Sequence, residues 1–389
     1  MASVVFYFQV HQPFRLRPYT IFDTDTNYFD DVHNQEICSK VADKCYLPAN
    51  QTIYELIDKF EGKFRVSYSL TGTAIEQFKK WRPDVLESFQ KLAASGCVEF
   101  ITETYYHSLV FLYNRQEFIK QTKKHHQTIS ELFGQEPKVF RNTELTYNND
   151  VARVVSDLGY QTVLTEGADH ILGYRSPNFL YHPPMCEDLH ILLKNYRLSD
   201  DIAFRFSNRQ WPEWPLTAEK FAAWVNRVNG NGFVCNLFMD YETFGEHQWA
   251  ETGIFEFLGA LPQAIFDIGD NDFLTISEAV DRYPSAGEMD VPHMISWADT
   301  ERDISAWLGN SMQANALHDV NGMADEVLAS GDAELIHQWR MLQSSDHFYY
   351  MCTKYFADGD VHKYFNPYES PYEAYINYMN ILDSVRARI

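Results

Sequence analysis

Short runs of apolar, β-branched and aromatic residues alternate with longer amphipathic stretches until about residue 269, and this rhythm constrains the fold more than any other feature. The candidate strands are residues 4–10, 64–70, 98–102, 138–141, 162–165, 191–196 and 233–239. Between them, residues 52–60, 74–94, 115–133, 150–158 and 218–228 carry apolar side chains at helical spacing, and Asn149 is placed to cap the fourth of these. Strands separated by helices build a parallel sheet, and in such sheets chemistry collects at the carboxyl ends of the strands. The residues just past these runs are His11, Thr71, Glu103 to His107, Glu144, Glu166 to Asp169, Arg197 and Asp240, a set rich in groups that move protons or bind polar ligands.

Two connections stand out by length. Residues 13–50 are rich in Phe, Tyr and Asp, and residues 173–184 hold Tyr174, Phe179, Tyr181 and three prolines. Long connections of this kind usually form binding walls, and residues 209–215, with Trp211 and Trp214, read as another wall. Past residue 269 the strand rhythm stops. Residues 303–328, 334–355 and 371–388 read as helices, with Gly331 and Asn366-Pro367 as breakers. The expected division is a catalytic unit over residues 1–270 and a helical unit over residues 271–389 that completes the cleft.

A net charge of −22 argues against nucleic acid and anionic membrane partners, which need clustered Lys and Arg. A neutral polymer fits without penalty. The 24 Tyr, 28 Phe and 8 Trp serve a large core and also offer faces that can stack on sugar rings. The six cysteines are scattered without a CxxC pair, which favours free thiols in a reducing compartment. Met1 to Phe8 carry neither a basic segment nor a small-residue cleavage site, and no apolar stretch reaches membrane-spanning length, so a cytoplasmic protein is expected.

The acidic residues at two strand ends carry the chemistry. Phe140-Arg141-Asn142-Thr143-Glu144-Leu145 places one glutamate where a strand becomes a loop, and Asp240-Tyr241-Glu242 closes another strand. Two carboxylates with opposed protonation states are what glycosidic bond cleavage requires. Glu242, two residues beyond Asp240, is the main rival for the acid role. His11-Gln12-Pro13 could hydrogen-bond sugar hydroxyls or orient the nucleophile. Glu99 and His107 flank the third strand's end, beside Tyr105 and Tyr106, while Arg141 or Arg197 could contact hydroxyl groups. Trp297 precedes a helix and could wall the cleft, Asp303 could cap that helix, and Trp307 reads as core.

Scattered His and Asp also admit a catalytic metal, as in a carbohydrate deacetylase, but no HxxxH or HExxH pair occurs and His125-His126 point apart on a helix. Neither a GxSxG elbow nor a GxxxxGK[ST] or GxGxxG loop is present. No metal or cofactor is therefore expected. A glucan-binding protein without catalysis is the third possibility the residues leave open.

Together these segments resemble glycoside hydrolase family 57. His11-Gln12-Pro13 is similar to the first family motif, and residues 96–107, with Glu99 and His107, to the second. Residues 140–149 are similar to the third in its α-amylase form, Asp240-Tyr241-Glu242-Thr243-Phe244-Gly245-Glu246-His247 to the fourth, and residues 297–313 to the fifth. The resemblance implies an α/β fold, an incomplete (β/α)7 barrel with a C-terminal helical domain, retaining chemistry and an α-glucan or maltooligosaccharide substrate. By position, Glu144 would be the nucleophile and Asp240 the general acid/base, with His11, Gln12, Glu99, His107, Arg141, Glu242, Trp297 and Asp303 around the substrate. Whether such a scaffold hydrolyses glucan, transfers it or branches it depends on its loop walls.

Overall fold

The computed structural model describes residues 1–354 and 366–389. All seven candidate strands form: β1 (Ala2–Val10), β2 (Val66–Leu70), β3 (Val98–Phe100), β4 (Val139–Arg141), β5 (Thr162–Glu166), β7 (His190–Lys194) and β8 (Val234–Asp240). A short β6 (Leu180–His182) lies between β5 and β7 in the chain. The seven run parallel in two arcs, β3-β2-β1-β8 and β4-β5-β7. One seam closes where Thr102 bridges Phe140: Thr102 N donates to Val139 O at 3.0 Å and Arg141 N to Thr102 O at 2.8 Å. At the other seam, Asn195 N donates to Asn236 O at 2.9 Å and the Asn236 side-chain amide to Leu193 O at 2.8 Å. The result is a (β/α)7 barrel with one thinly bonded seam.

Every residue of β1 is buried, because its two faces meet two different cores. Val5 and Tyr7 point into the barrel with Ile101, Val139, Leu164, Leu192, Val234 and Phe238. Val4, Phe6, Phe8 and Val10 point outward against the surrounding helices. A strand buried on both sides reads as a continuous apolar run, as this one does.

The helices depart from expectation in informative places. Residues 74–94 split at Arg82-Pro83 into Gly72–Trp81 and Pro83–Ala94, because proline lacks the N–H that a continuing helix would need. Arg115–Phe133 forms as predicted and ends on Gly134 at φ 65°. Asn148, one residue before the expected cap, accepts from Val151 N at 3.0 Å, while the Asn149 side chain bonds Asp290 and Val291 N. The long connection at residues 13–50 is helical from Asp31 onward.

Strands also continue past residue 270. β9 (Asn271–Phe273) pairs in parallel with the start of β1, and β10 (Ser285–Glu288) pairs with β6. Six described helices follow, beginning with Ser305–Leu308 and ending with Pro371–Arg386; the predicted run 303–328 breaks at Gly309-Asn310, and 334–355 breaks after Met341. Tyr355, the end of that second run, lies outside the described residues.

These helices pack on the barrel's first and third connections: Trp307, Trp339, Phe348 and Tyr378 share a core with Phe14, Tyr28, Tyr105 and Tyr106. A buried ion pair reinforces the contact, with Arg340 Nε 2.7 Å from the Oε1 of Glu117, which is 1 % exposed. Arg340→Ala is expected to lower stability by about 3 kcal/mol, because it strands a buried carboxylate. An unchanged urea midpoint would contradict this.

Candidate active site

Glu144 follows β4 in a tight turn whose backbone is under strain. Glu144 and Leu145 both have positive φ, 58° and 52°, a conformation that L residues rarely adopt. Leu145 N to Asn142 O (3.0 Å), Thr146 N to Thr143 O (3.0 Å) and Trp297 N to Glu144 O (3.3 Å) hold it. His107, Asp299 and Arg302 share the conformation, so the strained non-glycine residues concentrate around this turn.

Three donors reach the Glu144 carboxylate. His107 Nε2 lies 3.1 Å from Oε1, Ser345 Oγ donates to Oε1 at 3.0 Å, and Trp297 Nε1 donates to Oε2 at 2.7 Å. They come from the β3 loop, the C-terminal helices and the 296–303 loop. Burial works against ionisation of Glu144, but the hydrogen bond and charge of His107, with Arg141 and Trp297, hold its carboxyl below the ordinary glutamate value.

His107 is held from its other side by Glu103, with Nδ1 to Oε2 at 3.1 Å. Burial opposes the charge on this imidazole, yet the two carboxylates outweigh it and raise its pKa to about 9. Glu103 is fully buried, accepts from Gln9 Nε2 at 2.9 Å, and lies 3.7 Å from Arg141 Nη1. Although burial disfavours its charge, His107, Arg141 and His125 bring its carboxyl down to about 2.

His11 stacks on His107 with ring centroids 3.9 Å apart. Its Nε2 lies 2.8 Å from Asp346 Oδ2 and its Nδ1 3.0 Å from Thr71 Oγ1. Burial, followed by the charge on His107, lowers its pKa. The stacked rings therefore differ in charge, His107 cationic and His11 neutral near pH 7.

Asp240 ends β8, and its surroundings shift its carboxyl in the opposite direction from Glu144. Burial first, and then the Glu144 charge, push its pKa up to about 6, against the pull of Arg141, Lys194 and His107. Glu242, two residues on, accepts from the Tyr46 hydroxyl and from His11 N at 3.3 Å. Burial and the neighbouring Asp240 raise it to about 8, so it is a neutral acid near pH 7.

The Arg141 guanidinium is fully buried, 4.9 Å from the Trp297 ring centroid, and its three nitrogens make no hydrogen bond in this structure. On the same indole, Lys194 Nζ sits 5.3 Å from the centroid. Lys194 also pairs with Asp200 at 3.0 Å, and Arg302 bonds the Trp297 carbonyl while lying 3.5 Å from both Glu166 and Asp200. This network ties the 296–303 loop to the ends of β5 and β7. Trp297, expected to wall the cleft, donates its N–H to Glu144.

Several other expectations are corrected by position. Glu99 accepts from Ser67 Oγ at 3.2 Å and Ser277 N at 3.1 Å, and so anchors the helix Ile276–Arg282 one turn of chain before the site. Its register partner is Ser67, well inside the barrel sheet, and Glu103 takes the place assigned to it. Asp303 accepts from Ser305 N at 2.8 Å just ahead of the helix Ser305–Leu308, whose N-cap is Ile304. Arg197 is exposed and pairs with Asp169. Gln12 bonds the Tyr46 hydroxyl at 3.1 Å and so stands behind Glu242. Ser345, Asp346 and Lys194 have no motif of their own that could have flagged them; Glu103 is flagged only by its place just past a strand.

Among the described residues, no group of three or more His, Cys, Asp or Glu is arranged to hold a metal ion, and no helix is long and apolar enough to cross a membrane. The family pattern described as glycosyl hydrolase family 57 matches residues 5–292. The chain belongs to that family. A Methanocaldococcus jannaschii protein, provisionally named an alpha-amylase, is 45% identical over 97% of this chain and 83% of its own length. A GH57-type branching enzyme from Pyrococcus horikoshii shares the fold at a TM-score of 0.74 and 14% identity, covering 98% of this chain and 88% of that one. The 4-alpha-glucanotransferase of Thermococcus litoralis superposes at 0.68 and 15% identity, covering 89% of this chain, which spans only 56% of that enzyme. At such identities the two structures speak for the (β/α)7 fold of this glycoside hydrolase.

Proposed function

We propose that this enzyme cleaves α-1,4-glucosidic bonds in α-glucans or maltooligosaccharides with retention, using Glu144 as nucleophile and Asp240 as general acid/base. The observation that carries this is that the surroundings of the two carboxyls push their pKa values in opposite directions. Glu144 is caged by donors and held ionised, whereas Asp240 is buried beside that charge with a pKa of about 6. Environments that push two acids apart in this way assign the acid and the nucleophile. The α-glucan substrate is supported by the 45% identical relative named for amylase activity.

In the first step a Glu144 oxygen attacks the anomeric carbon. The bond to the glycosidic oxygen breaks, its electron pair stays on that oxygen, and the Asp240 proton goes there. Asp240, now anionic, loses the repulsion of Glu144 once the ester forms. Water then attacks the same carbon, gives its proton to Asp240, and the pair in the ester bond returns to Glu144. Microscopic reversibility requires this exchange of roles, and the scheme requires carboxyls roughly 5–5.5 Å apart.

His11 and Glu242 are assigned to the substrate side, with Gln12 behind Glu242 on the Tyr46 hydroxyl. The neutral Glu242 acid offers a donor to sugar hydroxyls, while the buried Arg141 acts through its charge on Glu144. The helices from Ser305 onward are assigned as the unit that completes the cleft, since Ser345 and Asp346 reach the two histidines' site from it.

Incubation with maltoheptaose tests the reading. The expected products are shorter maltooligosaccharides, released as the α-anomer and observed by proton NMR before mutarotation. First appearance of the β-anomer would overturn retention. Longer products beside the shorter ones would move the assignment from hydrolysis to glucan transfer.

A further inference from the structure

The charge on His107 has two partners, and the reaction proposed above consumes one of them. Before attack, the imidazole lies 3.1 Å from Glu103 on one side and 3.1 Å from Glu144 on the other. Esterification removes the Glu144 charge. A buried imidazolium left alone would then be costly, and burial would drive its proton off.

The other neighbours of the ring are already committed. His11 covers its face at 3.9 Å and is a poor neighbour for charge; Asp346 is engaged by His11 Nε2 and Ser344 Oγ. Arg141 and Lys194 are cations, and His125 faces Glu103, whose backbone N–H donates to the His125 Nδ1 at 3.2 Å. Asp240 is needed for the proton transfers. Asp346 also faces this charge, but from beyond His11; Glu103, fully buried and fixed by Gln9 and by the nearby Arg141, is the carboxylate in direct contact with the imidazole that the reaction leaves untouched.

We propose that Glu103 is a positioning residue that keeps His107 protonated while Glu144 is esterified, so that the imidazolium assists departure of the Glu144 carboxylate in the second half-reaction. In that step a water oxygen bonds to the anomeric carbon, the water proton passes to Asp240, and the carbon–Glu144 bond breaks with its pair returning to the carboxylate. His107 Nε2–H donates to the oxygen on which negative charge develops, and no proton leaves the imidazole. The inference rests on Glu144 being the nucleophile.

The test compares wild type, Glu103→Gln and Glu103→Asp on α-maltosyl fluoride, whose leaving group makes the first step fast. Glu103→Gln is expected to lower kcat by about tenfold or more, because weakening a charged donor to a developing oxyanion costs at least that much. KM should fall with it, so that kcat/KM drops far less, and intact-protein mass spectrometry should show the glycosyl-enzyme accumulating. Glu103→Asp, which restores the charge, should recover most of kcat. A parallel fall in kcat and kcat/KM without the accumulated ester would overturn the proposal, as this is what a merely structural loss gives.

A second measurement uses the wild type alone. With a 5-fluoro-α-maltosyl fluoride trap, nitrogen NMR is expected to show both His107 ring nitrogens protonated in the ester. A neutral ring would overturn the proposal even if Glu103→Gln failed to fold. Peptide mapping separates the two readings: no sugar on Glu144 removes the nucleophile assignment and this inference together, while an ester beside a neutral His107 removes only this inference.

Discussion

Glu144→Gln is expected to reduce turnover of maltoheptaose by roughly 100,000-fold, the scale seen when an activated nucleophile is removed. The amide keeps the size of the side chain and can still accept from Trp297, but it cannot attack carbon. It also sets an NH2 group against the donors at Oε1, where His107 and Ser345 now converge. Some binding is therefore lost with chemistry, and the decisive variant is Glu144→Ala with azide. A small anion in the vacated space should attack from the same face and release the β-glycosyl azide, the inverted product. Recovery of an α-azide instead would show that Glu144 is not the attacking group.

Asp240→Asn should be the next most severe change, costing roughly 100- to 10,000-fold with unactivated glucan. The loss should shrink with a fluoride leaving group, which needs little protonation. Its signature is in the pH profile. In the proposed scheme Asp240 acts first as an acid, and desolvation together with the Glu144 charge raises its pKa to about 6. Wild-type kcat/KM should thus be maintained below about pH 6 and fall above it, by about tenfold per unit as the acid form is depleted. The asparagine variant should lack that alkaline limb. If the limb persists in Asp240→Asn and vanishes in Glu242→Gln, the acid assignment belongs to Glu242.

What the chain announces in advance is what lies close along it. The seven barrel strands were legible because each is a short apolar run, and the groups proposed to act at their ends lie close by: Asp240, His11 and Glu144 within three residues, His107 seven beyond β3. Glu99 was misjudged by one turn of the same reasoning. β3 stops at Phe100, but the chain stays extended through Thr102 to bond Phe140 and Val139, so the carboxyl edge lies beyond it and the buried acid is Glu103. Ser345 and Asp346 had no local signal, because their roles depend on a pairing of Ser344 with Ser108 that no periodicity encodes. The persistence of strands past residue 270 was equally hidden: β9 has only three residues and exists because the start of β1 has an open edge. Trp297 was legible as a candidate wall, but its contacts with two cations and the long-range ion pairs that close its loop were not.

The arrival of Ser345 and Asp346 from the far end of the chain has a consequence for timing during synthesis. Both carboxyls and both histidines emerge from the ribosome with the barrel, and the barrel can in principle close around them. Yet the hydroxyl that completes the cage on Glu144 and the anion that engages His11 are made after the barrel and reach the site only once their helix docks against Ser108. A nascent or C-terminally truncated chain would carry every motif residue up to Trp297 and still lack two of the groups that set the electrostatics. Docking of the helix that carries Ser345 and Asp346 thus acts as the step that arms a barrel already made.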